Sequence, residues 1–318
     1  MEQIEEKSGQ PTGKPLMSTS VPPLVTVCIP AYNHERYIGQ AIEAILDQTY
    51  ANIELIIVDD GSHDATFDII ARYRGRCVAR CVRFEAYTRP NKGLSATLNE
   101  MVSWARGKYL APIASDDIAS PEKIARLVGE MEEHPEVVGA FGAVALIDDD
   151  GNSKGTLTRP GFWTFEDVIL ARAMMPAPTS VLRTDAVRAV GGYDEDMMIE
   201  DFSLWLKLTH DGTARLITVA DILAKYRLHK NNMHTRVLAM HEGRMAILER
   251  YRDHPAYAQA RSTAIITAAH ESTRHSLTQA MRLLKSTPDV NLRTRLAIVV
   301  KSVLPNTVLD WMKRARGY

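Results

Sequence analysis

The chain has 318 residues, 45% of them hydrophobic, enough to bury one large core and a smaller appendage. Its formal net charge of −1 offers nucleic acid no general attraction, and no basic stripe interleaved with aromatics suggests stacked bases, so no nucleic-acid partner is expected. Three cysteines (Cys28, Cys77 and Cys81) are too few for a disulfide framework and lack zinc-like spacing, which points to a reducing cytoplasm.

Residues 1–22 are polar and rich in Gly, Pro and Ser, with no apolar core of a signal peptide, so a disordered lead-in is expected there. No run approaches the ~18–20 apolar residues of a transmembrane helix, so a soluble or peripheral protein is expected. Residues 24–30 form a β-branched run ended by Pro30, and Asn33 is placed to cap a helix whose apolar face is Ile38, Ala41, Ile42, Ile45 and Leu46. Residues 53–58 are too apolar for a strand buried on one side only, so this strand belongs inside a parallel sheet. A helix carrying Ile69, Ile70 and Tyr73 follows, then a third strand over 78–85. A helix over 94–105 with Gly107 beyond its end leads to a fourth strand over 109–113. This βαβαβαβ alternation predicts an α/β, doubly wound, mainly parallel sheet.

A helix over 121–134 is followed by a long strand, 137–147, and a hairpin turn at 149–152. Short helices over 165–172 and 185–190 bracket a strand fragment at 181–182. Residues 202–210 carry Phe202, Trp205, Leu206 and Leu208 at helical spacing, and two β-like segments, 214–219 and 222–226, finish this half. From 236 onward only amphipathic helices are expected, over 237–251, 256–285 and 292–316.

Chemistry concentrates where strands end. Asp116 and Asp117 follow the fourth strand, where open α/β sheets place their ligands, and two hard oxygen donors suit Mg²⁺ or Mn²⁺ shared with substrate phosphates. The alternative is a solvated Ser-Asp-Asp turn capping the next helix. Asp59 and Asp60 beside Gly61 repeat the pattern and can accept hydrogen bonds from a base imide or a ribose hydroxyl; an Asp-Gly turn is the plainer use. Neither a dinucleotide-binding glycine fingerprint nor a P-loop occurs, which argues against nicotinamide enzymes and P-loop NTPases. Glu200 and Asp201 precede a helix; such an acid can take a proton from an attacking hydroxyl, or simply complement the helix dipole. His229 is a candidate metal or phosphate ligand.

These pieces in this order resemble the family 2 glycosyltransferases of GT-A fold. The resemblance covers about residues 25–232. It rests on Val27-Cys-Ile-Pro-Ala-Tyr-Asn33, Gln48-Thr49-Tyr50, Glu54-Leu-Ile-Ile-Val-Asp-Asp-Gly-Ser62, Asn91-Lys-Gly93 with Asn99, and Gly107-Lys-Tyr109. It continues through Ser115-Asp-Asp117 with Pro121, Gly191-Gly-Tyr-Asp194, Glu200-Asp201 with Leu204-Trp205, and Tyr226-Arg-Leu-His229. The resemblance implies inverting, single-addition transfer of a sugar from a nucleoside diphosphate donor, UDP by family habit, to a hydroxyl of a glycan or lipid-linked glycan. Bacterial surface polysaccharide or lipopolysaccharide synthesis is the implied setting. It implies a nucleotide-sugar pocket of Pro30, Ala31, Asn33, Asp59, Asp60, Asn91, Gly93, Ser115 and Asp116. It further implies a metal site of Asp116, Asp117 and His229, and Asp201 as catalytic base with Glu200 beside it. The resemblance also frames the expected domains: a glycosyltransferase domain over 23–232, with nucleotide half 23–120 and acceptor half 121–232, and a helical extension over 233–318.

Two features depart from the family pattern. Ala114 stands where many members carry a further Asp, which leaves a non-catalytic nucleotide-sugar-binding or assembly scaffold as the alternative reading. No Gln-x-x-Arg-Trp is present, which separates the chain from processive polymer synthases. Residues 292–318 alternate apolar residues with Arg293, Arg295, Lys301, Lys313, Arg314 and Arg316, and include Trp311. Such a segment suits peripheral contact with the inner face of the cytoplasmic membrane; packing on the domain or a homodimer contact is the alternative.

Overall fold

The computed structural model describes residues 21–229, 232, 236–272, 278 and 281. The first half alternates strand and helix: β1 (Val25–Ala31), α1 (Ile38–Leu46), β2 (Ile53–Asp59), α2 (Thr66–Arg80), β3 (Arg83–Thr88), α3 (Leu94–Trp104) and β4 (Tyr109–Pro112). Strands β3, β2, β1 and β4 lie side by side in that order, all parallel. Because β2 and β4 flank β1 on opposite sides, the chain reverses its winding direction between β1 and β4. A crevice opens at their carboxyl ends, the place where such sheets bind ligands.

The second half extends the same sheet. It contains β5 (Ile118–Ala119), α4 (Lys123–Glu133), β6 (Val137–Ile147), β7 (Ser153–Leu157), β8 (Gly161–Trp163) and α5 (Phe165–Ile169). It continues with β9 (Val181–Arg183), α6 (Thr184–Ala189), α7 (Glu200–Thr209) and β10 (Arg215–Arg227). Strand β9 runs antiparallel between β4 and β6, while β10 runs parallel to β6 and antiparallel to β5 and β8. The sheet is therefore mixed and mainly parallel, flanked by helices on both faces, as expected of the α/β class.

Alternation along the strands explains the double covering. Val25, Val27, Ile29, Ile53, Leu55 and Ile57 point to one face, against Ile38, Ile42 and Ile45 of α1 and Leu127 of α4. Cys28, Ile56, Val58 and Leu110 point to the other, against Leu98 and Met101 of α3 and Leu204 and Trp205 of α7. Every residue of β2 is buried, as a strand covered on both faces requires. Beyond β10 two helices follow, α8 (Val237–Glu249) and α9 (Tyr257–Ser272). The helix expected over 292–316 lies outside the described residues. Among the described residues no helix is long and apolar enough to cross a membrane.

Several boundaries differ from the sequence expectation. The strand expected over 78–85 begins only at Arg83, because α2 continues through Cys77, buried two turns after Ile70, and leaves Val78 59% exposed. The two β-like segments after 214 are one strand, β10, interrupted by register shifts between Thr218 and Ala224. Asn33 does not cap α1, which begins at Ile38. Its backbone instead takes a left-handed conformation (φ 52°), and its side chain accepts the N–H of His63 at 2.8 Å. Gly107 does not close α3 in a left-handed conformation. A Cβ there would lie 2.6 Å from the Thr26 nitrogen, so the residue allows close backbone approach to β1.

The turn after β2 shows how tightly the crevice is built. Gly61 has φ 76°, and a Cβ on it would sit 2.8 Å from the Asn91 nitrogen. Gly61→Ala is expected to cost about 1–3 kcal/mol through the unfavourable φ alone, and more through displacement of Asn91. Differential scanning calorimetry should show the melting temperature lowered by several degrees; an unchanged value would mean that this turn relaxes freely.

Candidate active site

The crevice between the carboxyl ends of β1 and β4 widens into a cavity of about 1140 Å³. Its β1 side carries Pro30, Ala31 and Asn33, and its floor after β4 carries Ser115, Asp116 and Asp117. Asp60, Asn91 and Gly93 border the same cavity from the loops after β2 and β3. Asp59 does not reach it: its carboxylate accepts Thr88 Oγ1 at 2.6 Å and the Ser62 hydroxyl, so it ties the β2 turn to β3. The Asp60 carboxylate accepts the backbone N–H groups of Lys92 (2.8 Å) and Gly93 (3.0 Å) and pairs with Arg89. In this structure Asp60 therefore shapes the Asn91–Gly93 loop from within.

Asp116 is the centre of a compact polar cluster. One of its oxygens lies 2.8 Å from Nε2 of His229, and His34 approaches from the β1 loop. One ligand-type atom each from His34, Asp116 and His229 falls within 4.8 Å of the others. Nδ1 of His34 sits 2.7 Å from the Ser115 hydroxyl, and the His229 ring stacks on Tyr37 with centroids 5.7 Å apart. Burial lowers the pKa of His34 and favours the neutral imidazole, the form in which histidine binds metals. The second acid, Asp117, accepts the Arg227 N–H at 2.9 Å with one oxygen, while its other oxygen is buried with no hydrogen-bond partner among the described residues. Burial, and next the charge of Asp116, push its pKa well up. Two imidazoles and a carboxylate are a donor set that fits a divalent cation; Asp117, expected from the sequence as a further ligand, is not among the three residues whose ligand atoms converge.

Arg227 holds this arrangement. Its side chain is almost wholly buried, and its Nε donates to the Asp116 carbonyl at 3.0 Å. Its Nη atoms donate to the carbonyls of Asp148 and Asp149 and to Oε1 of Gln40. Beneath, Lys123 is buried with its ammonium donating to the Pro178 carbonyl at 2.7 Å; burial pulls its pKa down to about 7, opposed by the charge of Asp117.

The opposite wall is the start of α7. Glu200 and Asp201 both border the cavity. Oδ1 of Asp201 accepts the Phe202 N–H at 2.6 Å, and burial raises the carboxyl pKa. Glu200 is pushed up to about 8, mainly by burial and secondarily by the charge of Asp201. Two adjacent acids in one desolvated wall lose their protons in sequence, and an acid tuned toward neutrality suits proton transfer at physiological pH. Of the sequence-predicted residues, the structure thus brings all but Asp59 to one cavity. Sequence reasoning misses His34 and Arg227 as site residues, although Asn33-His34 and Tyr226-Arg227 lie within or beside the motifs it singles out.

The mixed sheet, its crevice and its acidic cluster define a glycosyltransferase of GT-A type. The family model described as glycosyl transferase family 2 matches residues 26–177. EpsE of Bacillus subtilis (strain 168), assigned as a glycosyltransferase, is 32% identical over 194 residues, which span 60% of this chain and 68% of EpsE. The O-antigen biosynthesis glycosyltransferase WbnJ of Escherichia coli is 25% identical over 228 residues, 71% of this chain and 88% of WbnJ. Chondroitin synthase of Pasteurella multocida (strain Pm70) is 28% identical over 193 residues, but the match spans only 19% of that larger protein. In fold, the chain resembles S. aureus TarS 1–349 in complex with UDP-GlcNAc (TM-score 0.61, 16% identity, 88% of this chain and 79% of that one). It also resembles the Pyrobaculum calidifontis mannosyltransferase PcManGT in complex with GDP-Man and Mn²⁺ (TM-score 0.57, 17% identity, 89% and 86% of the two chains). The chain belongs to glycosyl transferase family 2, and it is a glycosyltransferase.

The raised pKa of Glu200 has a consequence for stability. Between the ordinary carboxyl value of 4.5 and about 8, the folded chain holds a proton that the unfolded chain has lost. Folding takes up a proton in that window, so this group's contribution to stability falls as pH rises through it. Glu200→Gln removes the titration. Its melting temperature is expected to fall less than that of the wild type between pH 5 and pH 8, and equal slopes would show that Glu200 ionises at an ordinary pH.

Proposed function

We propose that this glycosyltransferase moves one sugar, with inversion at the anomeric carbon, from a nucleoside diphosphate donor of UDP type to a hydroxyl of a glycan or lipid-linked glycan. The observation that carries this reading is that Asp201 and the His34–Asp116–His229 cluster border one cavity at the sheet's switch point. A single displacement needs a base for the incoming hydroxyl and stabilisation for the departing diphosphate. Asp201, once ionised, takes the hydroxyl proton; the new carbon–oxygen bond forms as the bond to the diphosphate breaks. Glu200, still protonated near neutral pH, keeps a second negative charge away from Asp201. His34, Asp116 and His229 would hold a divalent cation of the Mg²⁺ or Mn²⁺ kind. When bound, such an ion supplies positive charge for the diphosphate. Pro30, Ala31, Asn91 and Gly93 border the donor side of the cavity, and Asp60 orders the Asn91–Gly93 loop.

The names of bacterial relatives, O-antigen biosynthesis glycosyltransferase and chondroitin synthase, support surface polysaccharide assembly as the setting. We assign catalysis to 23–232 and treat 233–318 as a helical extension of that domain. Peripheral contact with the cytoplasmic membrane through 292–318 belongs to the same proposal.

Thermal shift against UDP, GDP and dTDP, with and without Mn²⁺, tests the donor class. A ligand specific for the folded state raises the melting temperature by mass action. A Mn²⁺-dependent rise is expected with UDP, absent in Asp116→Ala, whereas no rise with any nucleotide would contradict the reading. In calorimetric titration without nucleotide, His34→Ala is expected to weaken Mn²⁺ binding about tenfold or more; unchanged affinity would exclude His34 from the ligand set. Asp201→Asn should lower transfer by about 10²–10⁴-fold with donor binding intact, and a change below tenfold would place the base elsewhere.

A further inference from the structure

The cavity wall nearest Asp201 contains a cation that the transfer reaction does not use. Arg244 lies on α8, outside the sheet, and borders the cavity together with Arg236 at the start of the same helix. Helix α8 packs directly on the segment leading into the acid pair: a Cβ on Gly243 would lie 3.2 Å from Cβ of Met198 and 3.4 Å from the Ile199 side chain. The guanidinium of Arg244 sits over the Phe202 ring, 4.7 Å from its centroid. It is substantially desolvated, with its pKa lowered by burial and partly restored by Asp201 and Glu271. Yet among the described residues it makes no hydrogen bond and no ion pair.

That combination is unusual for arginine. A guanidinium taken out of water normally has its planar set of N–H donors paired with carboxylates or carbonyls, as Arg227 does on the opposite, sheet side of the site. Arg244 is held by an aromatic face on one side and faces the cavity with its donors unspent. Asp201 attracts it through space without a hydrogen bond. The arrangement is a fork left open for an oxyanion, in a site where carboxylate or phosphate can be bound by two parallel N–H bonds. Its position selects which substrate brings that anion. The metal-type cluster and Asp60 are carried on the segments that follow β1, β2, β4 and β10, whereas Arg244 comes from α8, which packs behind the acid pair.

We propose that Arg244, assisted by Arg236 at the cavity mouth, binds an oxyanion carried by the acceptor, so that the preferred acceptor is an anionic saccharide. The anion is a carboxylate on a uronic-acid unit or a phosphate ester on the sugar, placed close to the hydroxyl that Asp201 receives. This rests on Asp201 marking the acceptor side of the cavity.

Ligand-observed NMR titration of the full chain at low salt, with chelator and without nucleotide, tests the proposal independently of donor chemistry. The probes are methyl glucuronide, glucose 6-phosphate and, as the neutral control, methyl glucoside. Wild-type protein is expected to bind at least one anionic probe about tenfold or more tighter than methyl glucoside, as charge-assisted bidentate bonds imply. The better of the two identifies carboxylate or phosphate as the source. Arg244→Gln should bring both anionic probes to the level of the neutral one. Arg244→Lys, which keeps the charge but not the fork, should lose more for the glucuronide than for the phosphate. Equal binding of charged and neutral probes by the wild type would overturn the proposal, as would a preference unchanged in both variants. A purely structural Arg244, serving only as a counter-charge for Asp201, would change melting temperature without altering the order of the probes. The UDP thermal shift remains a separate readout, so a failed donor reading and a failed acceptor reading leave different signatures.

Discussion

The site depends on one buried guanidinium. Taking Arg227 out of water costs several kcal/mol unless its donors are met. Here they are met by three main-chain carbonyls and one side-chain amide oxygen, from Asp116, Asp148, Asp149 and Gln40. Those four acceptors belong to the turn after β4, the β6–β7 hairpin and helix α1, so a single side chain fixes three separate segments around the crevice. The acceptors are neutral, which leaves the Asp116 carboxylate uncommitted to Arg227 and available beside the two imidazoles. The backbone of the same residue pins Asp117 through its N–H, and two residues further on the chain delivers His229.

Opposite electrostatic regimes then face each other across the cavity. On the sheet side, two histidines and a carboxylate crowd together, and the nearby chain holds a second buried acid, Asp117, with one oxygen unpaired among the described residues. On the α7 side, desolvation raises the pKa of both Glu200 and Asp201, and the charge of Asp201 raises that of Glu200 further. One wall is suited to gathering a cation and the phosphates that accompany it, the other to accepting a proton. The switch point of the sheet brings them together because β1 and β4 end side by side while the chain leaves them in opposite directions.

Much of this is legible in the sequence. Runs such as Ile53–Asp59 are apolar at nearly every position, and only a strand covered on both faces accommodates that; β6 over Val137–Ile147 is likewise plain from its length and composition. Paired acids immediately after strands mark the crevice. Other features are not legible, for identifiable physical reasons. The strand propensity of Val78 is overridden by the helical face that buries Ile70 and Cys77. The joining of 214–219 and 222–226 into one strand depends on pairing with β6, a long-range contact that no local pattern reports. His34 carries no periodicity and sits in a loop, so its meeting with Asp116, some eighty residues away, arises only from the parallel pairing of β1 with β4. Arg244 lies beyond every recognised motif and enters the cavity only because α8 folds back on Met198 and Ile199.

The irregularity in β10 sets the phase of the strand beyond it. From Thr218 to Lys225 this strand advances seven residues while β6 advances four, from Phe141 to Ala145. The excess of three is odd, and side chains alternate faces with a period of two. The interruption therefore inverts the phase of the strand relative to its neighbour. Arg227 lies beyond that interruption, opposite Ile147 of β6. Gain or loss of one residue in the exposed stretch 220–222, or restoration of an uninterrupted ladder, would turn the guanidinium toward the other side of the sheet. A segment that looks like tolerant surface thus helps decide which side of the sheet Arg227 takes.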